Sequence, residues 1–368
     1  MTRCGRFVGF ALLIGLIASA CGTASAPAPS AVGATQTVAT TASPTPKPNY
    51  GTLRVVYGNV TIANSLFFLA TYDKLFEAEG FTDVEQTAIG GGKETATLIG
   101  GSADIALVSL DQIIAFATQG AQAQKTRALL QMFGGNPLTW GASRKFLDDA
   151  AKQGVTPTSP LDARLKALKG RTLAVSSPGS SADLLMRKML QGVGLDPEKD
   201  VKITSLGTGA AIVAALQSNV VDIGGMVEPN VSLLSVGGKG GAYISAGQDL
   251  ASQDKIVYSS VIAVNASVDS NPGKFKAIVR AFLRAHDELV KDPDGSMKKV
   301  QTSFKDLDPN VYASAFKSQS KNIAVDPLIT AAAAQQTIDA TGNTGKVKVE
   351  EVVRNDIVQE VQKELSTR

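Results

Sequence analysis

The sequence predicts an α/β fold with two lobes, each built on a mixed, mostly parallel sheet flanked by helices. From residue 52 onward, short β-rich runs alternate with helical patterns, and this order favours parallel strands joined by crossover helices. The length of 368 residues is enough for two ordinary domains. In addition, ATLIGGSADIA (96–106) and AALQSNVVDIG (214–224) share Ala, Leu and Asp-Ile at one spacing, which suggests one helix–turn–strand unit in each lobe.

The first 20 residues are predicted to be a signal peptide. Arg3 and Arg6 precede an apolar stretch, 7–17, which is shorter than the about 20 residues that a membrane-spanning helix needs. The segment SACG (19–22) resembles the lipobox of bacterial lipoproteins, which makes Cys21 the expected lipid anchor. The alternative is a plain secretory signal followed by a stray thiol.

Residues 21–50 are predicted to be a disordered tether. They consist mainly of Ala, Thr, Ser and Pro, with a single charge at Lys47, and such a composition cannot form a core. A lipid, a tether and a globular body predict a protein anchored to the outer face of the cell membrane or held in the periplasm. The chain has 36 Lys plus Arg and 33 Asp plus Glu, without a run of like charge, so no nucleic-acid partner is expected.

Seven runs read as strands, and all of them except the run 127–133 precede a helix start. They are LRVVY (53–57), VEQTAI (84–89), DIALVS (104–109) and RALLQMF (127–133) in the first lobe, and RTLAV (171–175), DVKIT (200–204) and VVDIGGMV (220–227) in the second. The run KIVYSSVIAVNASV (255–268) is too long for one strand, so we expect it to cross between the lobes. The expected boundaries are 51–138 plus 250–368 for the first lobe and 139–249 for the second.

The helix starts that follow these strands are candidate ligand sites. Ligands of open α/β sheets bind outside the carboxyl ends of the strands, where each helix start leaves backbone N–H groups unpaired and carries a partial positive charge. In SSPGSSAD (176–183), Ser180 and Asp183 match a capping box. This box leaves three other hydroxyl groups for a ligand, those of Ser176, Ser177 and Ser181.

The same kind of junction recurs along the chain. Ser109 and Gln112 match a second box, Thr208 lies between two glycines, and the triplet 90–92, with Gly91 and Gly92, precedes a further helix. Several such helix starts on two lobes would converge on one cleft, which could bind an anion or a polar group without a dedicated cation. The alternative is that each box only starts its own helix.

Neither catalysis nor a metal or other cofactor is expected. His286, the only histidine, lies on an apolar helical stripe, so we expect it to be packed there rather than to activate a nucleophile. The sequence has no Cys/His spacing typical of a metal site. GGGKET (90–95) lacks the spacing of a phosphate-binding P-loop.

Four stretches together resemble one family. They are KLFEAEGF (74–81), LIGGSADIA (98–106), the block from LKGRTLAV to GLDPEKDVKI (168–203), and MVEP (226–229). They are similar to motifs of the extracytoplasmic solute-binding proteins of ABC importers, in the branch that binds nitrate, sulfonates, taurine and thiamine pyrimidines. The resemblance extends from residue 52 to about residue 300.

The resemblance implies a type II periplasmic-binding-protein fold, whose lobes close on a ligand about a hinge. It also implies a monomer that delivers a small molecule to an ABC permease in the membrane. The implied ligand contacts are Gly58, Asn59, Ser109, the loop from Ser176 to Ser181, Thr208 and Glu228. The sequence departs from the family at two places: a Gln common in sulfonate binders is absent after the first strand, and Met226 replaces a Trp.

The expected ligand is a small monoanion or zwitterion of the sulfonate, taurine, nitrate or bicarbonate type, because the candidate loops contain one cation, Lys93, and one carboxylate, Glu228. Glu228 either faces the cleft or caps a loop. Trp140, the only tryptophan, either stacks on the ligand or lies buried near the hinge. Two alternatives remain: a binder of a pyrimidine or another aromatic heterocycle, of the thiamine-precursor or riboflavin type, and an accessory protein that presents a ligand to a membrane sensor.

Overall fold

The computed structural model describes residues 48–89, 93–118 and 126–367. The signal peptide, Cys21, the tether as far as Lys47, and Gly91 and Gly92 lie outside these residues. Tyr50, at the predicted end of the tether, packs on Phe81 with the ring centroids 5.3 Å apart. In the part of the chain that the structure describes, no helix combines the length and the apolar character that a membrane crossing requires.

The first sheet has five strands, and we call the part of the chain around it the first lobe. Its strands are β1 (Thr52–Tyr57), β2 (Asp83–Ala88), β3 (Ile105–Val108), β4 (Thr126–Gly134) and β10 (Val257–Val264), in the order β2-β1-β3-β10-β4. Strand β1 is parallel to β2 and β3, whereas β10 is antiparallel to β3 and β4.

The second sheet also has five strands and defines the second lobe. Its strands are β5 (Thr139–Ser143), β6 (Thr172–Val175), β7 (Lys202–Ser205), β8 (Ile223–Met226) and β9 (Gly240–Ser245), in the order β7-β6-β8-β5-β9. Strand β6 is parallel to β7 and β8, whereas β5 is antiparallel to β8 and β9. Both sheets are therefore mixed and have the same strand arrangement.

Helices follow most of the strands. In the described residues they are α1 (Ser65–Tyr72), α2 (Leu75–Ala78), α3 (Glu94–Ile99), α4 (Leu110–Ala117), α5 (Arg144–Lys152), α6 (Leu161–Lys166), α7 (Ser181–Gly192), α8 (Gly209–Gln217), α9 (Asn230–Ser235), α10 (Ala246–Asp249), α11 (Asn265–Ser270), α12 (Pro272–Lys291), α13 (Pro293–Val300), α14 (Pro309–Ser318), α15 (Ser320–Ile323), α16 (Ala331–Ala340) and α17 (Asp356–Ser366).

The longest of these helices, α12, is specified by its own sequence. The Asn271 side chain accepts a hydrogen bond from the Lys274 backbone N–H at 3.2 Å, and Pro272 occupies the first turn, where no intrahelical N–H partner is needed. The buried residues recur every three or four positions, at Phe275, Ile278, Phe282, Ala285 and Leu289. His286 lies on the same helix, half-buried, with Nε2 3.4 Å from the carbonyl oxygen of Ala324.

The repeated sequence pattern corresponds to a repeated structural unit. In the first lobe, Asp104 accepts a hydrogen bond from the Arg54 backbone N–H and donates one to the Arg54 carbonyl oxygen, both at 2.9 Å. In the second lobe, Asp222 makes the same two bonds with Thr172, again at 2.9 Å. The strands that follow these aspartates, β3 and β8, are the central strands of their sheets.

The run 255–268 is longer than one strand, as predicted, but the prediction that it crosses between the lobes is wrong. It forms β10, which ends at Val264, and α11 follows directly, so the run stays in the first lobe. Strand β10 lies between β3 and β4 and is mostly buried, and a strand covered on both faces shows a continuous apolar run instead of alternation. The chain crosses between the lobes earlier, from β4 to β5 and from β9 to β10.

The two crossings lie side by side at the hinge. Asn136, in the first crossing, donates a hydrogen bond from Nδ2 to Oε1 of Gln253, in the second, at 2.8 Å. Both side chains are buried. Tyr258, on β10, packs against the apolar cores of both lobes. These contacts connect the two lobes at the base of the cleft.

Candidate functional site

A carboxylate links the strand ends of the two lobes. Ser109 directly follows β3, Asp111 lies in the first turn of α4, and Ser181 is the first residue of α7. The hydroxyl groups of Ser109 and Ser181 donate hydrogen bonds to the two oxygens of the Asp111 carboxylate. Burial and, after it, the negative charge of Asp111 raise the pKa of Tyr258. Two of the predicted site residues, Ser109 and Ser181, therefore meet through a third residue.

The capping box predicted at Ser109 and Gln112 does not form. Ser109 is the N-cap residue of α4, but its side chain accepts no backbone hydrogen bond. Its hydroxyl group donates to the Asp111 carboxylate instead, and a hydrogen bond to an ionised group is stronger than one between neutral groups. Ser109 therefore orients Asp111 rather than capping its helix.

In the loop that begins at Ser176, only one of the two hydrogen bonds of the predicted capping box forms. Ser180 accepts a hydrogen bond from the Asp183 N–H at 3.4 Å, as expected for an N-cap. The Asp183 carboxylate accepts from the N–H of Gly179 at 2.8 Å, one residue earlier than the box requires. Gly179 has φ +76°, a left-handed conformation that glycine adopts without strain. Ser176 and Ser177 are half-buried, and their contact with a ligand stays a prediction.

Thr208 is exposed at the start of α8 and caps this helix, because its Oγ1 accepts a hydrogen bond from the Ala211 N–H at 3.2 Å. The next residue, Gly209, lies against α9: a Cβ atom there would be 2.4 Å from Nδ2 of Asn230. This close approach explains why a glycine follows Thr208. The hydroxyl hydrogen of Thr208 remains available for a ligand.

Gly58 and Asn59 follow β1 at the carboxyl end of the first sheet. Asn59 is exposed, and its carbonyl oxygen accepts a hydrogen bond from Nδ2 of Asn64 at 3.3 Å. Gly58 lies against the carboxylate of Glu94, since a Cβ atom at residue 58 would be 2.9 Å from Oε1. The glycine therefore lets this carboxylate approach the strand end closely.

Glu228 caps α9. Its two carboxylate oxygens accept hydrogen bonds from the backbone N–H and from the hydroxyl group of Ser232, both at 3.0 Å. Burial raises the pKa of Glu228, and the hydrogen bonds from Ser232 and Ser318 oppose this rise. The side chain thus makes the capping contacts that the sequence left as one of two interpretations.

Trp140 is buried on β5. Its side chain is 1% exposed and lies in the apolar core of the second lobe. The indole Nε1 has no hydrogen-bonding partner in the described residues. This is the position expected of a buried tryptophan near the hinge rather than of one that stacks on a cleft ligand.

A cavity of about 280 Å³ extends from the Asp111 carboxylate along the interface of the two lobes. Its polar lining consists of Ser109, Asp111, Asn136, Ser181, Lys188, Gln253, Thr337 and Thr341. Its wall is formed by α7, α16 and the residues around the second crossing, and the apolar contributions come from Leu184, Leu185, Ile256, Val257, Tyr258 and Ala340. The cavity could hold a ligand with one polar end and an apolar body.

Positive charge is sparse around these residues. Lys188 reaches the cavity, and its Nζ donates a hydrogen bond to the carbonyl oxygen of Ala340 at 3.1 Å. Arg187, on the same helix, is paired with Asp183, with Nε 2.7 Å from Oδ1. Among the residues that the structure describes, no group of three His, Cys, Asp or Glu side chains could hold a metal ion.

Sequence reasoning missed the acidic side chains of the site. Asp111 was hidden inside a capping pattern, and Glu94 looked like a normal acidic residue in a first helical turn. Lys188 and Tyr258 lie far from the strand-end loops along the chain. For Asp111, a usable signal was present, since a carboxylate two residues after a serine offers its hydroxyl a nearby acceptor.

Residues 46–302 match the NMT1-like family, and this range is more than half of the 368-residue chain. The chain belongs to this family. It is 24% identical to YtlA of Bacillus subtilis (strain 168), which is named as a binding protein, over 317 residues that cover 82% of this chain and 89% of YtlA.

Two solved structures are similar to the whole globular body. A protein of Bordetella bronchiseptica RB50 aligns with a TM-score of 0.72 and 25% identity, over 86% of this chain and 98% of that one. The periplasmic nitrate-binding protein NrtA of Synechocystis PCC 6803 aligns with a TM-score of 0.63 and 16% identity, over 86% of this chain and 89% of NrtA. The predicted fold class, that of the periplasmic binding proteins, is therefore confirmed.

Proposed function

We propose that this protein is the extracytoplasmic substrate-binding component of an ABC importer. It captures a small molecule between its lobes and delivers it to a permease, without chemical conversion. The observation that carries this proposal is the contact of Asp111 with Ser109 and Ser181, because it brings the strand ends of two sheets together as a closing cleft requires. Family membership supports the same function.

The proposed ligand is a small zwitterion or monoanion. The first turns of α4, α7 and α8 and the hydroxyl groups of Ser176, Ser177 and Thr208 supply donors for an anionic group. The carboxylates of Glu94 and Asp111 lie at adjacent strand ends of the first sheet. They favour a zwitterion of the taurine type over a simple anion such as nitrate or bicarbonate, because a purely negative ligand would be repelled.

An aromatic heterocycle is the second candidate ligand. The observation that favours it is the apolar wall of the cavity, which includes the ring of Tyr258 beside Leu185 and Ile256. A flat ring would bury apolar surface against these side chains. Its polar edge would then reach Asp111.

We further propose that the mature protein is a membrane-anchored lipoprotein. A lipid on Cys21 and the segment up to residue 50 would hold the lobes near the permease, on the outer side of the membrane. The proposal is supported by the lipobox-like sequence around Cys21 and by the Ala-, Thr-, Ser- and Pro-rich composition of the segment that follows.

A thermal-shift screen of the purified protein tests the binding function. The panel contains taurine, alkyl sulfonates, nitrate, bicarbonate, formylaminopyrimidine and riboflavin. A ligand at 100 times its Kd adds about 2.7 kcal/mol to the free energy of unfolding. The double variant Ser180→Ala/Thr208→Ala should lose much of this ligand-induced shift.

Ser143→Ala is the matched control. Ser143 caps α5 by accepting a hydrogen bond of 3.2 Å from the Phe146 N–H. It is the last residue of β5, which runs opposite to β6 and β8, so it lies at the end of the second sheet opposite to the carboxyl ends of those two strands. Without ligand, Ser143→Ala should lower the melting temperature by an amount similar to that of the double variant. With ligand, it should keep the ligand-induced shift. A folded protein that no compound of the panel stabilises would contradict the proposed function and ligand classes together.

A further inference from the structure

Two buried side chains at the start of α3 hold polar atoms that lack a partner. Glu94 is 3% exposed and Thr95 is 0% exposed. Within the part of the chain that the structure describes, neither Oε2 of Glu94 nor Oγ1 of Thr95 has a hydrogen-bonding partner. Leaving a buried acceptor unpaired is unfavourable, and more so when it is charged.

The Glu94 carboxylate lies at the end of β1, next to the strand that leads to Asp111. Oε1 lies beside Gly58, the residue that follows β1. Tyr57 is paired with Leu107 in the register of β1 and β3, so the ends of these strands are neighbours at the strand spacing of about 4.8 Å. Asp111 lies just beyond the end of β3. Two carboxylates therefore lie at neighbouring strand ends.

No cation balances these two carboxylates in the described residues. The Asp111 oxygens accept hydrogen bonds from serine hydroxyl groups only. Lys93, next to Glu94 in the chain, is exposed and makes no ion pair with it. A bound anion would add a further negative charge here, whereas an ammonium group would supply up to three hydrogen-bond donors and a neutralising charge.

We infer that the cleft ligand carries a protonated amino group, and that Glu94 and Thr95 bind this group at the end of β1. The inference rests on the proposed function and assigns the chemistry of one end of the ligand. Glu94 supplies the charged acceptor and Thr95 a second acceptor. Asp111 contributes its negative charge from the neighbouring strand end.

Matched compounds that differ only in this group test the inference. The probes are 2-aminoethanesulfonate against 2-hydroxyethanesulfonate, 3-aminopropanoate against 3-hydroxypropanoate, and benzylamine against benzyl alcohol, measured by calorimetry on the full chain. At least one amine should bind at least about tenfold more tightly than the matching alcohol. A hydrogen bond to a charged group contributes enough free energy for this difference in affinity. Glu94→Gln should reduce this preference to about twofold or less.

Glu350→Gln, at an exposed carboxylate beside the edge strand β4, is the control and should keep the full preference. Without any ligand, Glu94→Gln should raise the melting temperature or leave it unchanged, since it removes an unpaired buried charge. A clear fall would show that the carboxylate has a structural partner and would overturn the inference, whatever the binding data. Thr95→Val should weaken amine binding and leave alcohol binding unchanged.

The outcomes separate the inference from the proposed function. If the alcohols or simple anions bind as tightly as the amines and Glu94→Gln leaves their affinities unchanged, the inference is overturned and the binding function stands. If neither the amines nor nitrate, bicarbonate and riboflavin bind at millimolar concentration, both are contradicted. An amine preference that Glu94→Gln abolishes and Glu350→Gln preserves supports both.

Discussion

Ser181 donates a hydrogen bond to the carboxylate of Asp111, and this bond joins the first turns of two helices that belong to different lobes. We expect Asp111→Asn and Ser181→Ala to be coupled, because each variant removes one side of the same contact. The coupling free energy should be about 0.5–3 kcal/mol. Urea denaturation of the two single variants and the double variant measures it.

The control for this cycle uses a hydroxyl group of the same lobe. Ser205 donates to the carbonyl oxygen of Ser176 at 2.7 Å and does not contact Asp111. Ser205→Ala and Asp111→Asn should therefore be additive within about 0.5 kcal/mol. Equal additivity in both cycles would show that the interlobe bond does not contribute in solution.

Glu228 gives the protein a pH-dependent stability. Burial raises its pKa above the ordinary value of 4.5, so the folded state binds a proton more tightly than the unfolded state. The stability contributed by the protonated carboxyl group is fully present at pH values below its pKa in the unfolded state. It is lost as the pH rises through its pKa in the folded state. The melting temperature of Glu228→Gln should therefore rise relative to that of the wild type between about pH 4 and pH 8.

Thermal unfolding of both proteins over this pH range measures the difference. The matched control is Glu198→Gln, because the Glu198 side chain is 74% exposed. The difference in melting temperature between this variant and the wild type should not grow as the pH rises. A constant difference for Glu228→Gln would mean that the carboxyl group has the same pKa in the folded and the unfolded state.

Trp140 reports on the second lobe alone. Because it is the only tryptophan and is 1% exposed, its fluorescence should be blue-shifted and poorly quenched by acrylamide. Ligand binding should change the quenching little, since the ring is already buried in the core. A large protection on ligand addition would instead place the indole in contact with the ligand.

Cys21 should carry the lipid. Cys21→Ala should abolish incorporation of labelled palmitate in cells and move the protein from the membrane fraction to the soluble extracytoplasmic fraction. Two lipid chains bind a membrane far more strongly than one, so the change in distribution should be nearly complete. Cys4→Ala is the control and should be labelled normally, because residue 4 lies in the predicted signal peptide.

The general architecture could be predicted because it depends on local patterns. The alternation of strands and helices and the shared spacing around Asp104 and Asp222 are visible in the chain itself. The two lobes, the order of most strands along the chain and the cap at Ser180 follow from such signals. The antiparallel strand β10 was misplaced because a strand that is buried on both faces has no alternation to mark its ends.

The candidate site could be predicted only in part, because its contacts join residues distant in sequence. Ser109 and Ser181 were found from their positions after strands, but the contact through Asp111 spans 70 residues of chain. The unpaired state of Glu94 depends on the burial of its whole surroundings. No local pattern distinguishes such a carboxylate from an ordinary one in a first helical turn.

The second sheet is made entirely from one continuous segment, from Thr139 to Ser245, whereas the first sheet needs β10 from beyond that segment. A chain that emerges on the far side of a membrane in N-to-C order can therefore complete the second lobe while the first still lacks an interior strand. About 120 residues separate the end of β4 from the start of β10, so the first four strands emerge well before the strand that lies between β3 and β4. We therefore expect the first lobe to be completed after the second, and the ligand cleft to form only at that stage.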